Sequence, residues 1–476
     1  MWEPWLARVL LLAALVVGAA IRIWLSLNDD GIYWPDEIYQ SLEPAHRLAF
    51  GYGLVAWEFV KGARSWFLPG VLAGVLKISA LFGADSPRQY LYPTRILFSA
   101  LSILAAWGSY RLARVYRTAF LPAALAGTLG ALAAPAIYFA PRAMSENASA
   151  PAVVWGLALT LDAKSRRWER AIGASLLAVA VLLRLQNAVF CLGALAILAS
   201  RRDWNRVGEA SAVLGAWAFL GGLLDKLTWG GWFHSSLAYL TFNVVQGGAA
   251  QWGVAEFSYY ARVLWSSMPL VSLLLLLLLP LSAIRAQGTW LTVAAFFLLH
   301  SCIPHKEMRF LLPALPVLFS LGGIGASVVT EQLSPFGASL VCAAIAAVAG
   351  LSAARFHRLK FGDLGQYESL RPNASAYDDF GDLNRLLIAA HRLPDLCGLK
   401  VEAVHLAWTG GYTYLHRNVP LYPHTGPPRT SMFYNYVLSV QGNGGWPVTE
   451  AAGPFVLLRM PWAKCSPDPG YSSRLP

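Results

Sequence analysis

Charged residues are scarce in this sequence. Only 13% of its 476 residues are charged and 56% are hydrophobic, whereas about a quarter of the residues in a soluble globular protein are charged. This deficit argues against an ordinary soluble domain and indicates a membrane protein. The formal net charge is +11, but the basic residues cluster in short loops between apolar stretches, as the positive-inside rule of membrane topology describes. We therefore expect the lipid bilayer as a partner and no nucleic acid.

Cysteine is also rare, with five residues in the chain. Three of them stand singly in apolar stretches, where an inert buried thiol is expected. Cys397 and Cys465 lie in the polar C-terminal region and can pair if that region faces an oxidising compartment, a question that their spacing leaves open. The cysteines form no metal-binding pattern, and we expect neither a metal nor a cofactor.

Apolar stretches are abundant and predict the fold. A spanning helix needs roughly 20 mainly apolar residues, and about 11 segments are assigned as spans. They run approximately over 6–27, 94–113, 119–139, 146–163, 171–184, 187–200, 208–225, 263–284, 288–303, 309–329 and 334–355. Basic residues in the loops, such as Arg285, mark the cytoplasmic side. The sequence thus predicts an all-α polytopic membrane protein.

The predicted topology divides the chain into two parts. With the amino terminus inside, an odd number of spans leaves the carboxyl terminus outside. We therefore expect a transmembrane catalytic domain at 1–355 and a small external domain at 356–476. The first external loop, 28–93, is expected to contain membrane-surface helices, among them the apolar stretch 66–82.

Most acidic residues and histidines fall in the external loops, so we expect the chemistry there. Pro35-Asp36-Glu37 follows the first span and opens an amphipathic stretch, 38–50. A carboxylate pair at the entrance to a buried groove can act as a general base, because desolvation raises the pKa of a carboxyl toward working pH. A helix cap that complements the helix dipole is the alternative interpretation.

A second group of ionisable residues lies between two apolar segments: His305, Lys306, Glu307 and Arg309. Such groups are costly near hydrocarbon and mark functional sites, although snorkelling anchors are the alternative. Three cationic or potentially cationic side chains surround one acid here. They suit a bound phosphate, with Glu307 orienting one of the bases.

Further candidates for substrate binding stand singly. Arg184 lies near the external end of two short spans, where it needs a lipid phosphate or a loop carboxylate as partner. Arg142 is a similar case, and an ion pair with Glu146 is the simpler interpretation. Glu58 lies between two aromatic residues, and Asp225 precedes a tryptophan-rich stretch. Such aromatic residues suit either a sugar ring or the membrane interface.

Three stretches together resemble glycosyltransferase family 22, the mannosyltransferases that use dolichyl-phosphate mannose to assemble N-glycan precursors and glycosylphosphatidylinositol (GPI) anchors. They are 35–53 with Ala56-Trp57-Glu58, then Asp225-Lys226 through Gly230-Gly231-Trp232 to Phe242-Asn243, and 305–311. The resemblance implies a GT-C type fold, whose first external loop carries the catalytic carboxylate. By position, Asp36 becomes the base, with Glu37 beside it, and the stretch from His305 to Arg309 helps to form the donor pocket.

The resemblance also implies a reaction. It is an inverting, metal-independent transfer of a hexose, taken to be mannose, from a polyprenyl-phosphate sugar donor to a glycan or lipid-linked acceptor. Richness in Ala, Leu and Arg indicates a bacterial homologue, with the active site on the periplasmic side of the inner membrane; in a eukaryote the membrane would be that of the endoplasmic reticulum. Alternatives are a transporter or flippase of lipid-linked saccharides, or a GT-C enzyme with a protein or lipid A acceptor.

Overall fold

The computed structural model describes residues 3–361, 375–442 and 445–475. The chain packs into two compact units. The first, here called the helical unit, contains Met1–Leu25, Ile96–Pro141 and Ser145–Gly362; the second, here called the loop unit, contains Ser26–Arg95, Arg142–Met144 and Asp363–Pro476. The predicted first external loop thus packs with the predicted external domain, part of which, 362–374 and 443–444, lies outside the described residues. The predicted division at 355 concerns membrane topology and stays a prediction.

Helices dominate the described residues. In chain order they are α1 Glu3–Asn28, α2 Pro35–Glu37, α3 Glu43–Phe50, α4 Trp57–Val60, α5 Phe67–Leu81, α6 Pro87–Val115, α7 Phe120–Leu132, α8 Ala134–Tyr138, α9 Ser145–Leu161, α10 Arg167–Leu183, α11 Ala188–Ser200, α12 Trp204–Trp229, α13 His234–Leu240, α14 Tyr259–Ser267, α15 Pro269–Cys302, α16 Leu315–Thr330, α17 Pro335–Ala353, α18 Gly381–His391 and α19 Gly411–Leu415. Short π-helical and 3₁₀ turns connect several of them.

Five helices of the described chain are long and apolar enough to cross a bilayer: α1, α6, α12, α15 and α17. Several apolar helices are shorter, among them α5, α7 and α16, with 10–17 residues each. A crossing helix needs roughly 20 residues, so length alone does not assign the shorter ones. The count of about 11 spans stays a prediction.

The boundary predicted between the spans 263–284 and 288–303 falls at a kink. The 34 residues of α15 form two helices that meet at Ala286, whose φ of −126° and ψ of 38° are not helical. Arg285 lies directly before the kink and donates to Glu331 at 2.8 Å. At about 1.5 Å per residue, a straight helix of this length would far exceed the roughly 30 Å hydrocarbon core. Polar residues near 285 therefore mark the junction of two helices, and the number of spans that these helices form stays a prediction.

Close helix packing in the helical unit depends on glycine. A Cβ atom on Gly325 of α16 would lie 2.1 Å from the carbonyl oxygen of Leu278 in α15. Any side chain there would push the two helices apart. Small residues let neighbouring membrane helices approach in this way, so that van der Waals contact replaces the missing hydrophobic driving force.

A β-sheet in the loop unit corrects the all-α expectation. Its strands are β1 Leu399–Val401, β2 Leu421–Tyr422, β3 Tyr436–Val440, β4 Val448–Ala452 and β5 Phe455–Arg459. The strand order is β2-β1-β3-β5-β4. The strand β1 is parallel to both neighbours, whereas β5 pairs antiparallel with β3 and β4. Val437 of β3 and Leu458 of β5 form a hydrophobic cluster with Tyr434 and other buried side chains.

The open question about two cysteines is answered in the same unit. Cys397 and Cys465 form a disulfide, with 5.7 Å between their Cα atoms. The bond joins the segment before β1 to the segment after β5. Since disulfides persist in oxidising compartments, this bond is consistent with an external location of the loop unit.

Candidate functional site

The predicted base lies in the first turn of a helix of the loop unit. Trp34 is extended, and Pro35 opens α2, where its fixed φ suits the first helical position. The chain continues through a π-helical turn at Ile38–Leu42 into α3. Asp36 is partly exposed, whereas Glu37 is buried. The two neighbouring carboxylates thus have different environments.

Glu37 is engaged by a buried arginine. The Nη1 of Arg142 lies 3.0 Å from Glu37 Oε2, and its Nη2 lies 2.8 Å from Asp29 Oδ2. Glu37 also accepts a hydrogen bond from the backbone N–H of Tyr33 at 3.1 Å. Burial raises the pKa of Asp29 even though Arg142 opposes this shift. One guanidinium thus bridges two buried acids and holds the turn that carries Asp36.

A third predicted residue, Glu58, is electrostatically coupled to Asp36. It is buried on α4 and accepts a hydrogen bond from Gln40 Nε2 at 2.7 Å. Burial, and next the negative charge of Asp36, raises the pKa of Glu58 to about 7, while Arg64 opposes the shift. Near neutral pH the Glu58 carboxyl is therefore partly protonated, and its proton occupancy responds to the charge on Asp36.

A buried carboxylate, that of Glu43, anchors another part of the first loop. Glu43 is fully buried and accepts hydrogen bonds from the backbone N–H groups of Leu54, Tyr412 and Thr413 at 2.8–3.0 Å. It also accepts from the Thr413 hydroxyl at 2.7 Å. Removing the Glu43 carboxylate would leave several buried donors without an acceptor, which is costly. The segment from 36 to 58 is thereby held in a defined position within the loop unit.

The cationic group of the helical unit is built around Glu307. Arg309 donates to it from Nε at 2.6 Å and from Nη2 at 2.8 Å. His305 Nε2 lies 2.8 Å from Glu307 Oε1. Burial alone would raise the pKa of Glu307, but the charge of Arg309 and the hydrogen bond from His305 lower it to about 2. Glu307 is ionised and contacts both bases, whereas the sequence predicted that it orients one of them.

Arg184 belongs to the same group. Its Nη2 and the Nη1 of Arg309 each lie 3.3 Å from Glu146 Oε1. Both guanidinium groups also lie over the ring of Phe310, at 5.0 and 5.1 Å from its centroid. The structure thus brings Arg184 together with the motif at 305–309, which the sequence could not do. Glu146 is part of this group as well.

The group carries excess positive charge. Lys306 donates to the backbone carbonyl of Ala255 at 2.8 Å, and His305 keeps part of its side chain exposed. Two arginines and one lysine stand against the carboxylates of Glu146 and Glu307, before any protonation of the histidine. An anion such as a phosphate balances that excess.

Asp225 has a local role in its described contacts. Its Oδ2 accepts hydrogen bonds from the backbone N–H and the hydroxyl of Ser235, at 2.8 and 2.7 Å. Ser235 lies in the first turn of α13, so the buried carboxylate stabilises the beginning of that helix. Binding of a substrate by Asp225 stays a prediction.

Two residues of the helical unit escaped the sequence analysis. Tyr260 is buried and interacts with the charge and the backbone of Glu307. Arg22 is buried in α1 and donates to the backbone carbonyl of Ala131 at 2.6 Å and to Ser102 Oγ at 3.1 Å. An arginine inside an apolar span could have been noticed, because such residues are rare and costly. A tyrosine outside the predicted spans, such as Tyr260, gives no comparable signal.

Within the described ranges, no group of three or more His, Cys, Asp or Glu side chains is placed to hold a metal ion.

Comparison with known sequences identifies the family. A profile of the Alg9-like mannosyltransferase family matches residues 13–366, about three quarters of the chain. The chain belongs to this family. The matched region contains Asp36, Glu58 and the group at 305–309, so the sequence resemblance is confirmed. The sheet and the disulfide lie outside it.

Curated relatives of this mannosyltransferase family align over part of their length. The protein named GPI mannosyltransferase 3 of Yarrowia lipolytica is 32% identical over 317 residues, which cover 64% of this chain and 60% of the relative. Mannosyltransferase APTG1 of Arabidopsis thaliana is 27% identical over 325 residues, covering 64% of this chain and 56% of the relative. The chain thus spans somewhat more than half the length of the curated relatives that it matches.

A solved structure shares the fold. ArnT from Cupriavidus metallidurans, determined bound to undecaprenyl phosphate, superimposes with a TM-score of 0.62 over 96% of this chain and 99% of that one, at 15% identity. At this identity the comparison concerns the fold alone. It supports the GT-C architecture expected from the sequence.

Proposed function

We propose that the protein is a membrane mannosyltransferase that moves mannose from a polyprenyl-phosphate donor to a hydroxyl of a lipid-linked glycan, with inversion at the anomeric carbon. Membership of the Alg9-like mannosyltransferase family supports the sugar and the reaction class. The ArnT structure holds undecaprenyl phosphate, which supports a polyprenyl-phosphate donor here. The name of the Yarrowia relative specifies GPI, in keeping with a lipid-linked acceptor.

The observation that carries the proposal is the different burial of two adjacent acids. Glu37 is buried against Arg142, whereas Asp36 in the same helical turn is partly exposed. A general base must reach the proton that it removes. Asp36 meets this requirement, and Glu37 with Arg142 positions it. Arg142 therefore acts through the turn and not on the donor.

The chemistry is a single displacement. The Asp36 carboxylate takes the proton of the acceptor hydroxyl, whose oxygen attacks the anomeric carbon. The bond from that carbon to the phosphate oxygen breaks, and the polyprenyl phosphate leaves with the electron pair. Arg184, Lys306 and Arg309 carry the positive charge that stabilises the leaving phosphate, and such electrostatic stabilisation is commonly the largest catalytic contribution.

Glu58 acts beside the base. Its raised pKa keeps part of its population neutral near pH 7, which limits the negative charge that accumulates around Asp36. The proton on Glu58 therefore reduces the negative charge next to Asp36.

The disulfide supports a location for the reaction. Cys397–Cys465 lies in the same unit as Asp36, and an oxidising compartment preserves such a bond. We place the active site on the non-cytoplasmic face, either of a bacterial inner membrane or of the endoplasmic reticulum.

The test compares wild-type protein with Asp36→Asn in membranes supplied with radiolabelled polyprenyl-phosphate mannose. Loss of a general base is expected to slow transfer by about 10²–10⁴-fold. The measured quantity is label incorporated into the acceptor fraction.

Asp85→Asn is the matched control, because it makes the same change at an exposed acid of the same loop. It should transfer at the wild-type rate. Undiminished transfer by Asp36→Asn would refute the proposed mechanism, and movement of the lipid-linked sugar across the membrane without transfer would favour the flippase alternative.

A further inference from the structure

A cavity of about 250 Å³ opens among four helices of the helical unit and involves none of the residues assigned above. It lies at the C-terminal ends of α9 and α11 and the N-terminal ends of α10 and α12. Its wall is mainly apolar and includes Leu198 and Val213. Its rim carries Arg167, Arg170 and Arg206. An apolar interior with a cationic rim is an amphipathic site.

The rim holds more positive charge than its acids neutralise. Glu209 is shared, with Arg170 Nη2 at 2.7 Å and Arg167 Nε at 3.3 Å. Arg206 has its own partner, Asp203, at 3.1 Å. Two arginines therefore stand against the single carboxylate of Glu209. The Arg167 side chain is 84% exposed, so its guanidinium is accessible to a ligand.

Both arginines stand at the N-terminus of α10, beside Glu169, whose carboxylate accepts a hydrogen bond from the backbone N–H of Arg166 at 2.6 Å. Arg167 is the first residue of the helix and Arg170 lies in its first turn. The N-terminus of a helix carries partial positive charge and stabilises anions, not cations. A phosphate at the rim would therefore interact favourably with both guanidinium groups and with the helix dipole.

A buried hydroxyl inside the cavity also lacks a partner. Thr160 lines the cavity and is 2% exposed. Its Oγ1 makes no hydrogen bond to the described residues. Buried polar groups in folded proteins nearly always have a partner. A ligand that places a carbonyl oxygen below its phosphate would accept this hydrogen bond.

We propose that this cavity binds an anionic phospholipid. The phosphate of the lipid lies against Arg167 and Arg170. The carbonyl oxygen of its glycerol ester accepts a hydrogen bond from the Thr160 hydroxyl. Its acyl chain covers the apolar wall of the cavity. A soluble phosphate would leave that wall exposed. Since α12 is long and apolar enough to cross a bilayer, the end that forms the rim lies where lipid headgroups meet the protein.

The experiment measures lipid retention by the full chain. Protein is reconstituted in nanodiscs of mixed phosphatidylcholine and phosphatidylglycerol, released, and analysed by native mass spectrometry. Wild type is expected to retain phosphatidylglycerol in preference to phosphatidylcholine. Loss of one surface cation in Arg167→Ala should reduce that retention about fivefold. Because the Arg167 side chain is exposed, its removal should leave the fold intact, and circular dichroism checks this.

Two further variants separate the parts of the site. Lys164→Ala removes one exposed charge from the same loop outside the cavity lining, and solvent screening should keep its effect below about twofold. Ala212→Phe fills the cavity without changing charge and should also abolish the preference for phosphatidylglycerol.

Three results would overturn the proposal. The first is equal retention of the two lipids by wild type. The second is an equal effect of Lys164→Ala and Arg167→Ala, which would mean diffuse attraction. The third is stabilisation of wild type by glycerol phosphate in phosphatidylcholine nanodiscs that matches the effect of phosphatidylglycerol, since a soluble anion would then suffice.

Discussion

Asp36 and Glu37 are adjacent in one helical turn but have different roles in the proposed reaction. Asp36 and Glu37 look alike in the sequence, and both complement the dipole of the helix that they open. Their difference arises from Arg142, which follows them by more than a hundred residues and pairs with Glu37. The local residue pattern identified the acidic pair, and only the family resemblance selected Asp36, because the contact that separates the two acids is distant in the chain.

The raised pKa of Glu58 predicts that the stability of the folded protein depends on pH. Its pKa is 4.5 in the unfolded chain and about 7 in the folded protein, so the folded state holds this proton more tightly. The stabilisation is complete below pH 4.5 and is lost as pH rises through 7, by about 3 kcal/mol in total. Glu58→Gln should lose this pH dependence and be more stable than wild type at pH 8. Thermal unfolding between pH 5 and 8 measures it.

Two further variants serve as controls for this measurement. Glu450→Gln changes an exposed acid on β4 and should follow the wild-type curve. Asp36→Asn removes the charge that helps to raise the pKa of Glu58, so its curve should shift to lower pH. Parallel curves for wild type and Glu58→Gln would contradict the assignment.

At the scale of elements, long helices were predictable and short strands were not. In a membrane protein, a long apolar run such as α1 or α12 predicts a spanning helix. The strands β1 to β5, by contrast, have only two to five residues each. Strands this short give too few residues to establish a period of two. The junction at Ala286 was predictable as well, because polar residues interrupt the long apolar run at that position.

The disulfide joins the segment before β1 to the segment after β5, and its removal is testable. Bridging residues 68 apart in sequence restricts the unfolded chain by up to about 4 kcal/mol in the loop-entropy model. Cys397→Ser should therefore lower the melting temperature of the protein. A reducing agent should lower that of wild type equally.

Counting the reactive thiols tests whether the disulfide is present. Among the free cysteines, Cys302 is exposed while Cys191 and Cys342 are buried. Maleimide should label Cys302 of the folded protein without reductant, and two further thiols after reduction. Labelling of Cys397 without reductant would show that the bond is absent.

At the scale of the molecule, the membrane topology has a direct test. About 11 spans place the carboxyl terminus outside when the amino terminus is inside. Alkaline phosphatase fused after the last residue should be active, and a fluorescent protein there should be dark. A fusion after Arg117, in a loop predicted to be cytoplasmic, should behave in the opposite way. A cytoplasmic signal from the carboxyl terminus would invert the topology and exclude Asp36 as an external base.

The whole-molecule arrangement was only partly predictable. Family motifs located the candidate residues, since they lie in short continuous stretches such as 305–309. The association of Ser26–Arg95 with Asp363–Pro476 in one unit was not predicted. It depends on pairs such as Glu43 with Thr413, and a single sequence holds no record of contacts between residues so far apart.

The Glu43 contacts also set an order of maturation. The carboxylate reaches the ribosome exit long before Tyr412 and Thr413 have been translated, and three of its four donors belong to those two residues. Until they arrive, the segment that carries Asp36 lacks its final anchorage. The first external loop is therefore synthesised early but reaches its final structure late. A chain released before Tyr412 is translated would contain Asp36 and Glu37 and would still be inactive.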